Sequence, residues 1–512
     1  MSRVGDVPAR SAGILLPLFS IRAARDSGIG DIPMLAPLCR WLARAGHRWL
    51  QILPIMEMSL GERSPYAALS AFAIDSIYLG LADVEDVVAA GAAIDVATEP
   101  GDIDYDRVRA VKRSALERAF DHFMRREWAT GSTRARVFGA FREEERHWLD
   151  DYSLFRACQE HDGPVWTAWE PRLRDREPTA LAERGTRLAR ERLYHEYVQW
   201  LAAGQWEAAR REVAAVGVRL KGDLPFVVST NSADVWSRQR EFRLDASLGA
   251  PPDDFDPGGQ EWGLPVYDWD AMGSAGFAWL RARAARAAAL FDAFRIDHVV
   301  GFYRQYVIER EGPRRFVPED EAAQLALGER LLTTAGESAA PAELIGEDLG
   351  VVPPFVRESL TRLAIPGYRV LRWEKDDGVF RDPAAYPSRS VATPGTHDTS
   401  ALATWWETEL DDGGRRALAA VPVFRSLAEA RAEFTPAVHA ALLDGLYAAA
   451  SELVVLPLPD AYGGRERINV PATVGAPNWG YRMPWTVDEL LGSAGDDLAE
   501  RLRVLATHHG RA

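Results

Sequence analysis

FDAFRIDHVVGF, Phe291 to Phe302, decides how the chain is read. Its apolar residues suit a buried strand, yet it closes on Arg295, Asp297 and His298, where such a strand normally carries nothing chargeable. Taken alone, the aspartate fits a helix N-cap or a partner for Arg295. Working outward, the same pattern recurs. "GILLPLF" (13–19) is followed by a helical pattern from about Asp31, with Leu35, Leu38, Leu42 and Ala45 on one face and Gly46 at its end. Then come "WLQILPI" (49–55), "VRLKGDLPFVV" (218–228), "LFDAFRID" (290–297), "AELIGED" (342–348), "YRVLRWE" (368–374), "SVATPGTHD" (390–398) and "ELVVLPLPD" (452–460). Eight strand candidates alternating with helical stretches predict an α/β fold, a (β/α)8 TIM barrel.

The length of 512 residues fits one barrel enlarged by insertions, a single catalytic unit over 1–512. Residues 80–216 are helical in pattern and hold Trp128, Trp148, Trp166, Trp169, Trp200 and Trp206, enough to pack a subdomain core. Residues 229–271 read as a long polar loop, and loops of that length are usually functional. A net charge of -15 argues against a nucleic-acid partner, which requires concentrated Lys and Arg. Two isolated cysteines, Cys39 and Cys158, fit a reducing compartment better than a disulfide framework or thiolate metal site. The early "AGILLPLF" is short, contains Pro17 and lacks a cleavage pattern, so it reads as mature protein. No apolar run is long enough to cross a bilayer, and a cytoplasmic protein is expected.

In such barrels chemistry sits at the C-terminal strand ends, and this chain repeatedly places carboxylates there: Asp223, Asp297, Glu347 with Asp348, Asp398 and Asp460. So many acidic groups near one rim require cations or a polar ligand. HExxH, CxxC, GxSxG and the phosphate-loop pattern are all missing from the sequence, while a carboxylate site for magnesium or manganese stays open. Tyr66, Trp262, Trp373, Trp405 and Trp406 favour a sugar, to which they could offer flat faces. Glycoside chemistry needs one charged and one protonated carboxyl across the scissile bond. Asp297 suits the first role, because an adjacent guanidinium favours a charged carboxylate. Glu347, approached through apolar "AELIG", suits the acid, with backbone geometry deciding between it and Asp348. Asp398, after His397, suits a grip on sugar hydroxyls.

Further segments extend the pattern: "GILLPLFSIRAARDSGIGDI", "SPYAALSAFA", "LKGDLPFVVSTNSADVWSRQREFRLD", "GAPPDDFDPGGQEWGLPVYDWD", "FRIDHVVGFYRQYVI", "IGEDLGVVP", "IPGYRVLRWE", "TPGTHDTSALATWW" and "ERINVPATVGAPNWGYRMP". From about residue 12 to 490 the chain resembles the amylomaltases, the 4-α-glucanotransferases of glycoside hydrolase family 77. The resemblance implies retaining transfer of α-1,4-glucan segments between donor and acceptor sugars, on a barrel lacking the C-terminal β-domain of α-amylases and using no dissociable cofactor or metal. It implies Asp297 as nucleophile, Glu347 as acid/base and Asp398 as transition-state stabiliser. It also implies Arg295 and His397 as their hydrogen-bonding neighbours, Tyr66 as a platform beneath the cleaved sugar, and Asp223, Asp253, Gln260, Trp262 and Asn469 as substrate-side positions.

Three departures stand out. Ile74, Asp75 and Ser76 replace the Gly-Asn-Pro usual in the family, Thr399 stands where Asn is common, and Pro459 precedes Asp460 in place of Gln. The first is expected to alter donor-side hydrogen bonding and add a charge. An altered chain-length preference is expected, with the three catalytic carboxylates untouched. An α-glucan hydrolase and a catalytically idle glucan-binding protein are the alternatives.

Overall fold

The computed structural model describes residues 10–24, 26–92, 102–252, 258–471, 473 and 475–512. Eight parallel strands form the barrel: β1 (Ser11–Leu15), β2 (Trp49–Gln51), β3 (Arg219–Leu224), β4 (Ala293–Ile296), β5 (Glu343–Gly346), β6 (Gly367–Val370), β7 (Ser390–Thr393) and β8 (Leu453–Pro457). Each strand pairs with its sequence neighbours except β5 with β6, and β8 returns to β1 with Ser11 opposite Leu453. Between β5 and β6, the Gly346 N–H donates to Pro366 O at 2.9 Å, so the ring is nearly closed.

All eight expected strands occur, most of them shorter than their apolar runs. Proline explains several ends, since it cannot donate to the ladder. β1 stops before Pro17, β2 before Pro54, β3 at Pro225 and β7 at Pro394. Among the described residues, only helices, turns and loops follow β8.

Between β2 and β3 stand the helices Tyr105–Phe123, Thr133–Glu144, Arg146–Asp162 and Ala189–Ala215. Phe123, Phe138, Tyr197 and Trp200 pack ring against ring among them, with Phe123 and Tyr197 centroids 5.0 Å apart. The 27-residue helix Ala189–Ala215 leads into β3, and its Trp206 donates Nε1–H to Leu290 O, fastening this layer to the barrel.

The segment read as a polar loop is more ordered than its composition suggests. Ala246–Ala250 pairs with Gln260–Glu261 on one side and Gln305–Glu309 on the other, and Arg314–Val317 completes an antiparallel sheet of four strands. Its central partner, Gln305–Glu309, follows β4 in the chain, so the pairing is invisible in the local pattern of 229–271.

Candidate active site

The ladder carries two carboxylates to the same level. Asp297 N–H donates to Leu224 O and Glu347 N–H to Ile296 O, each continuing the pairing one residue beyond its strand. Arg295, opposite Asp223 in the β3–β4 register, lies beneath them. Its Nη1 contacts both Asp223 oxygens at 2.9 and 2.7 Å, while Nη2 sits 2.8 Å from Asp297 Oδ1 and 3.9 Å from Glu347 Oε2. Because those last two oxygens share one nitrogen, they lie no more than about 6.7 Å apart.

Glu347 also accepts backbone N–H bonds from His298 at 2.8 Å and Leu349 at 3.2 Å. His298, donor of the shorter bond, takes a left-handed φ of 47°, rare for a residue with a side chain. Burial pushes Glu347 up to about 8, with the Asp297 charge adding to it, against the opposing pull of Arg295 and the His298 N–H.

Asp398 is held on the other side of the cleft. His397 Nε2 lies 3.2 Å from Oδ2, and Asn469 donates to Oδ1 at 2.6 Å. Burial raises this carboxyl, but His397, Asn469 and Arg295 together outweigh it and hold Asp398 well below the usual range. The Tyr66 hydroxyl donates to Asp223 Oδ2 at 2.9 Å and lies 3.1 Å from His397 Nε2. Its ring stacks on His397 at 5.4 Å, with Trp479 tilted against both.

The structure therefore gathers Asp297, Glu347, Asp398, Arg295, His397, Tyr66, Asp223 and Asn469 into one linked cluster. Asp223 is the exception to a substrate-facing assignment: its side chain is fully enclosed and its oxygens are engaged by Arg295 and Tyr66. Trp262 reaches the cluster through the edge of His298, ring centroids 5.1 Å apart, and donates Nε1–H to Gln260 Oε1 at 3.0 Å. Asp253 lies outside the described residues.

Other acidic strand-end residues serve the frame. Asp348 turns away from the cleft, accepting the Tyr368 N–H at 2.6 Å and a bond from Arg369 at 3.0 Å, which clasps β5 to β6 where the ladder is thinnest. A Cβ on Gly367 would come within 2.6 Å of its Oδ1, so glycine is required for this approach. Asp460 accepts the Leu402 N–H at 2.6 Å and caps the turn after β7. Asp75 accepts from Met58 N–H and Ile77 N–H while 3% exposed, so the charge expected on the donor side is spent inside the fold. Thr399 closes its own turn through Thr396. Trp405 and Trp406 are buried core residues, and of the aromatics following β6 and β7 Trp373 alone keeps substantial exposure.

Sequence reasoning noted His298 without giving it a role, and missed Trp479 and Lys221. A signal existed for the first two, in "RIDH" and "PNWG"; Lys221 looked like an ordinary strand residue. Among the described residues, the group with donor atoms close enough to share a metal ion is Asp444, His508 and His509, at the C-terminal helix and outside this cluster.

A family model described as 4-alpha-glucanotransferase, glycoside hydrolase family 77, matches residues 16–488. A 4-alpha-glucanotransferase of Thermus thermophilus is 35% identical, the match covering 97% of this chain and 98% of the relative. One of Chlamydia caviae is 31% identical over 94% of this chain and 92% of its own length. The crystal structure of an amylomaltase from Streptococcus agalactiae, in complex with acarbose, superposes with a TM-score of 0.84 at 26% identity, covering 98% of this chain and all of that one. The amylomaltase of Corynebacterium glutamicum, 22% identical, supports the fold with a TM-score of 0.80, over 97% of this chain and 75% of its own. A match spanning nearly the whole barrel, on a fold whose strand ends carry this carboxylate cluster, establishes that the chain belongs to the 4-alpha-glucanotransferase family, glycoside hydrolase family 77.

Proposed function

We propose that this enzyme transfers α-1,4-glucan segments between maltooligosaccharides, or glycogen or starch chains, by a retaining double displacement. The shared contact of Asp297 and Glu347 with Arg295 Nη2 carries the reading. Retaining pairs sit about 5 to 5.5 Å apart, whereas inverting pairs open to about 6.5 to 9.5 Å to house a water. The nearest oxygens of the pair, at most about 6.7 Å apart around one guanidinium nitrogen, fit the narrower spacing.

Asp297 attacks the anomeric carbon and Glu347 protonates the departing oxygen. Asp398, anchored by His397 and Asn469, grips the sugar as positive charge develops. Tyr66 and Trp479 wall the site beside it, and Arg295 fixes both carboxylates from below. The newly ionised Glu347 then takes the proton of the incoming 4-hydroxyl. Trp262 and Gln260 serve the acceptor side. The 229–271 segment and the 80–216 helices form the walls that hold an acceptor sugar in preference to water, which raises its effective molarity. Two buried, unpaired cysteines support a cytoplasmic setting.

Incubation with maltotriose tests this. Transfer yields glucose and a ladder of longer oligosaccharides with the number of reducing ends unchanged, since each bond broken is replaced. A rise in reducing ends in step with maltotriose consumed, without longer products, marks a hydrolase.

A further inference from the structure

One buried amine lies directly below this site and takes no part in the mechanism above. Lys221 is 0% exposed. In the β2–β3–β4 register it stands level with Gln51 and Ala293, one layer beneath the Asp223 and Arg295 pair. The lysine side chain reaches two other strands. Nζ lies 3.0 Å from Gln51 Oε1 on β2 and 2.5 Å from the Tyr368 hydroxyl on β6, on the far side of the ring.

Every partner in reach is neutral. No carboxylate lies within 4 Å of Nζ among the described residues, and Asp223, whose charge acts on it, already takes two bonds from Arg295 and one from Tyr66. The ionisable groups facing the amine are Asp223 from its own strand, Arg295 with Asp297 above it from β4, Glu347 from β5 and Tyr368 from β6. β2 offers the neutral Gln51, and β1, β7 and β8 contain no ionisable residue.

We propose that Lys221 is a positioning residue for the transfer reaction: its amine, held without a counter-ion, joins the contact between Gln51 and Tyr368 inside the barrel and forms the floor on which Arg295, and through it Asp297 and Glu347, is set. This rests on the reading of Asp297 and Glu347 as the reacting pair. An ammonium here would be buried without a counter-ion and next to a guanidinium, a costly arrangement. Burial, then the Arg295 charge, depress this lysine well below its ordinary range against the weaker pull of Asp223. Burial raises the Tyr368 phenol, so it stays neutral and can donate to the amine lone pair. Neutrality also has a use. A second cation beneath Glu347 would favour its ionised form and deplete the acid, whereas an amine supplies hydrogen bonds without that cost.

The test measures kcat and KM for maltotriose transfer between pH 5 and 9 in wild type, Lys221→Gln and Lys221→Met, with melting temperatures to confirm folding. Met removes both hydrogen bonds of the amine, and kcat is expected to fall roughly tenfold with KM little changed. Gln, neutral and still hydrogen-bonding, is expected to stay within about threefold of wild type. The alkaline limb of the profile stays in place in both, because no charge is lost. A limb displaced upward by about half a pH unit or more in the Gln variant would mean that a cation had been removed, and would overturn the proposal. So would a Met variant with wild-type kcat at every pH. Should Met fail to fold, the limb of the Gln variant still decides. Absence of transfer in the wild type would instead count against the functional reading, not against Lys221.

Discussion

Glu347 offers the sharpest test of the mechanism, because its environment assigns it a proton at neutral pH. A carboxyl at the ordinary 4.5 is protonated in about one molecule in 300 at pH 7, whereas one pushed up to about 8 is protonated in about nine of ten. The barrel therefore raises the acid form by about two orders of magnitude, worth on the order of 3 kcal/mol of barrier if protonation limits the rate. Since the reactive form carries the proton, kcat/KM should be level through pH 7 and fall as pH rises through about 8, approaching tenfold per unit beyond it. Glu347→Gln keeps the shape and still accepts the His298 N–H, but has no proton to give. With maltotriose the loss should be about 10²- to 10⁴-fold. With an α-maltosyl fluoride donor, whose leaving group needs no protonation, the variant should release a rapid burst of fluoride and then stall, because no base remains to activate an acceptor. Azide, which needs no deprotonation, should restart turnover. Stopped-flow fluoride release and product chromatography read both steps. Equal losses with maltotriose and with the fluoride burst, or a profile flat from pH 7 to 9, would refute the assignment.

Asp297→Asn should lower transfer at least about 10³-fold with the melting temperature little changed, since the proposed first displacement would lose its nucleophile; near wild-type rates in the folded variant would contradict it. Asn469→Ala removes the 2.6 Å donor to Asp398 and should lower kcat roughly tenfold or more, with a smaller change in KM, measured by maltotriose disproportionation. Asp348→Ala unclasps β5 from β6 and strips Arg369 of its buried partner, so stability should fall by about 3 kcal/mol in denaturant unfolding. Glu347→Gln, its immediate neighbour, should cost far less stability.

The barrel was legible because its signals are local. Apolar runs with helical patterns between them need only sequence order, and prolines such as Pro225 and Pro394 mark strand ends by removing a donor. The acidic residues at those ends were legible as a set but not individually. Glu347 and Asp348 are adjacent, and a strand alternates its faces, so one must enter the cleft while the other meets the β6 backbone. Only the pairing with β4 fixes which. Asp75 looked like a charge added to the donor side because the sequence does not reveal that Met58 and Ile77 present their N–H groups to it. Trp405 and Trp406 illustrate the converse, since an aromatic suited to a sugar is equally suited to a core. Lys221 is the extreme case: its partners lie on β2 and β6, far off in sequence, and nothing along the chain brings them together. What escapes a linear reading is thus whatever depends on register across the ring, and that is where the floor of this site is built. The lysine there is received by two neutral oxygens from other strands, so the consequences proposed for Arg295 and Glu347 follow from the barrel closing, not from any motif.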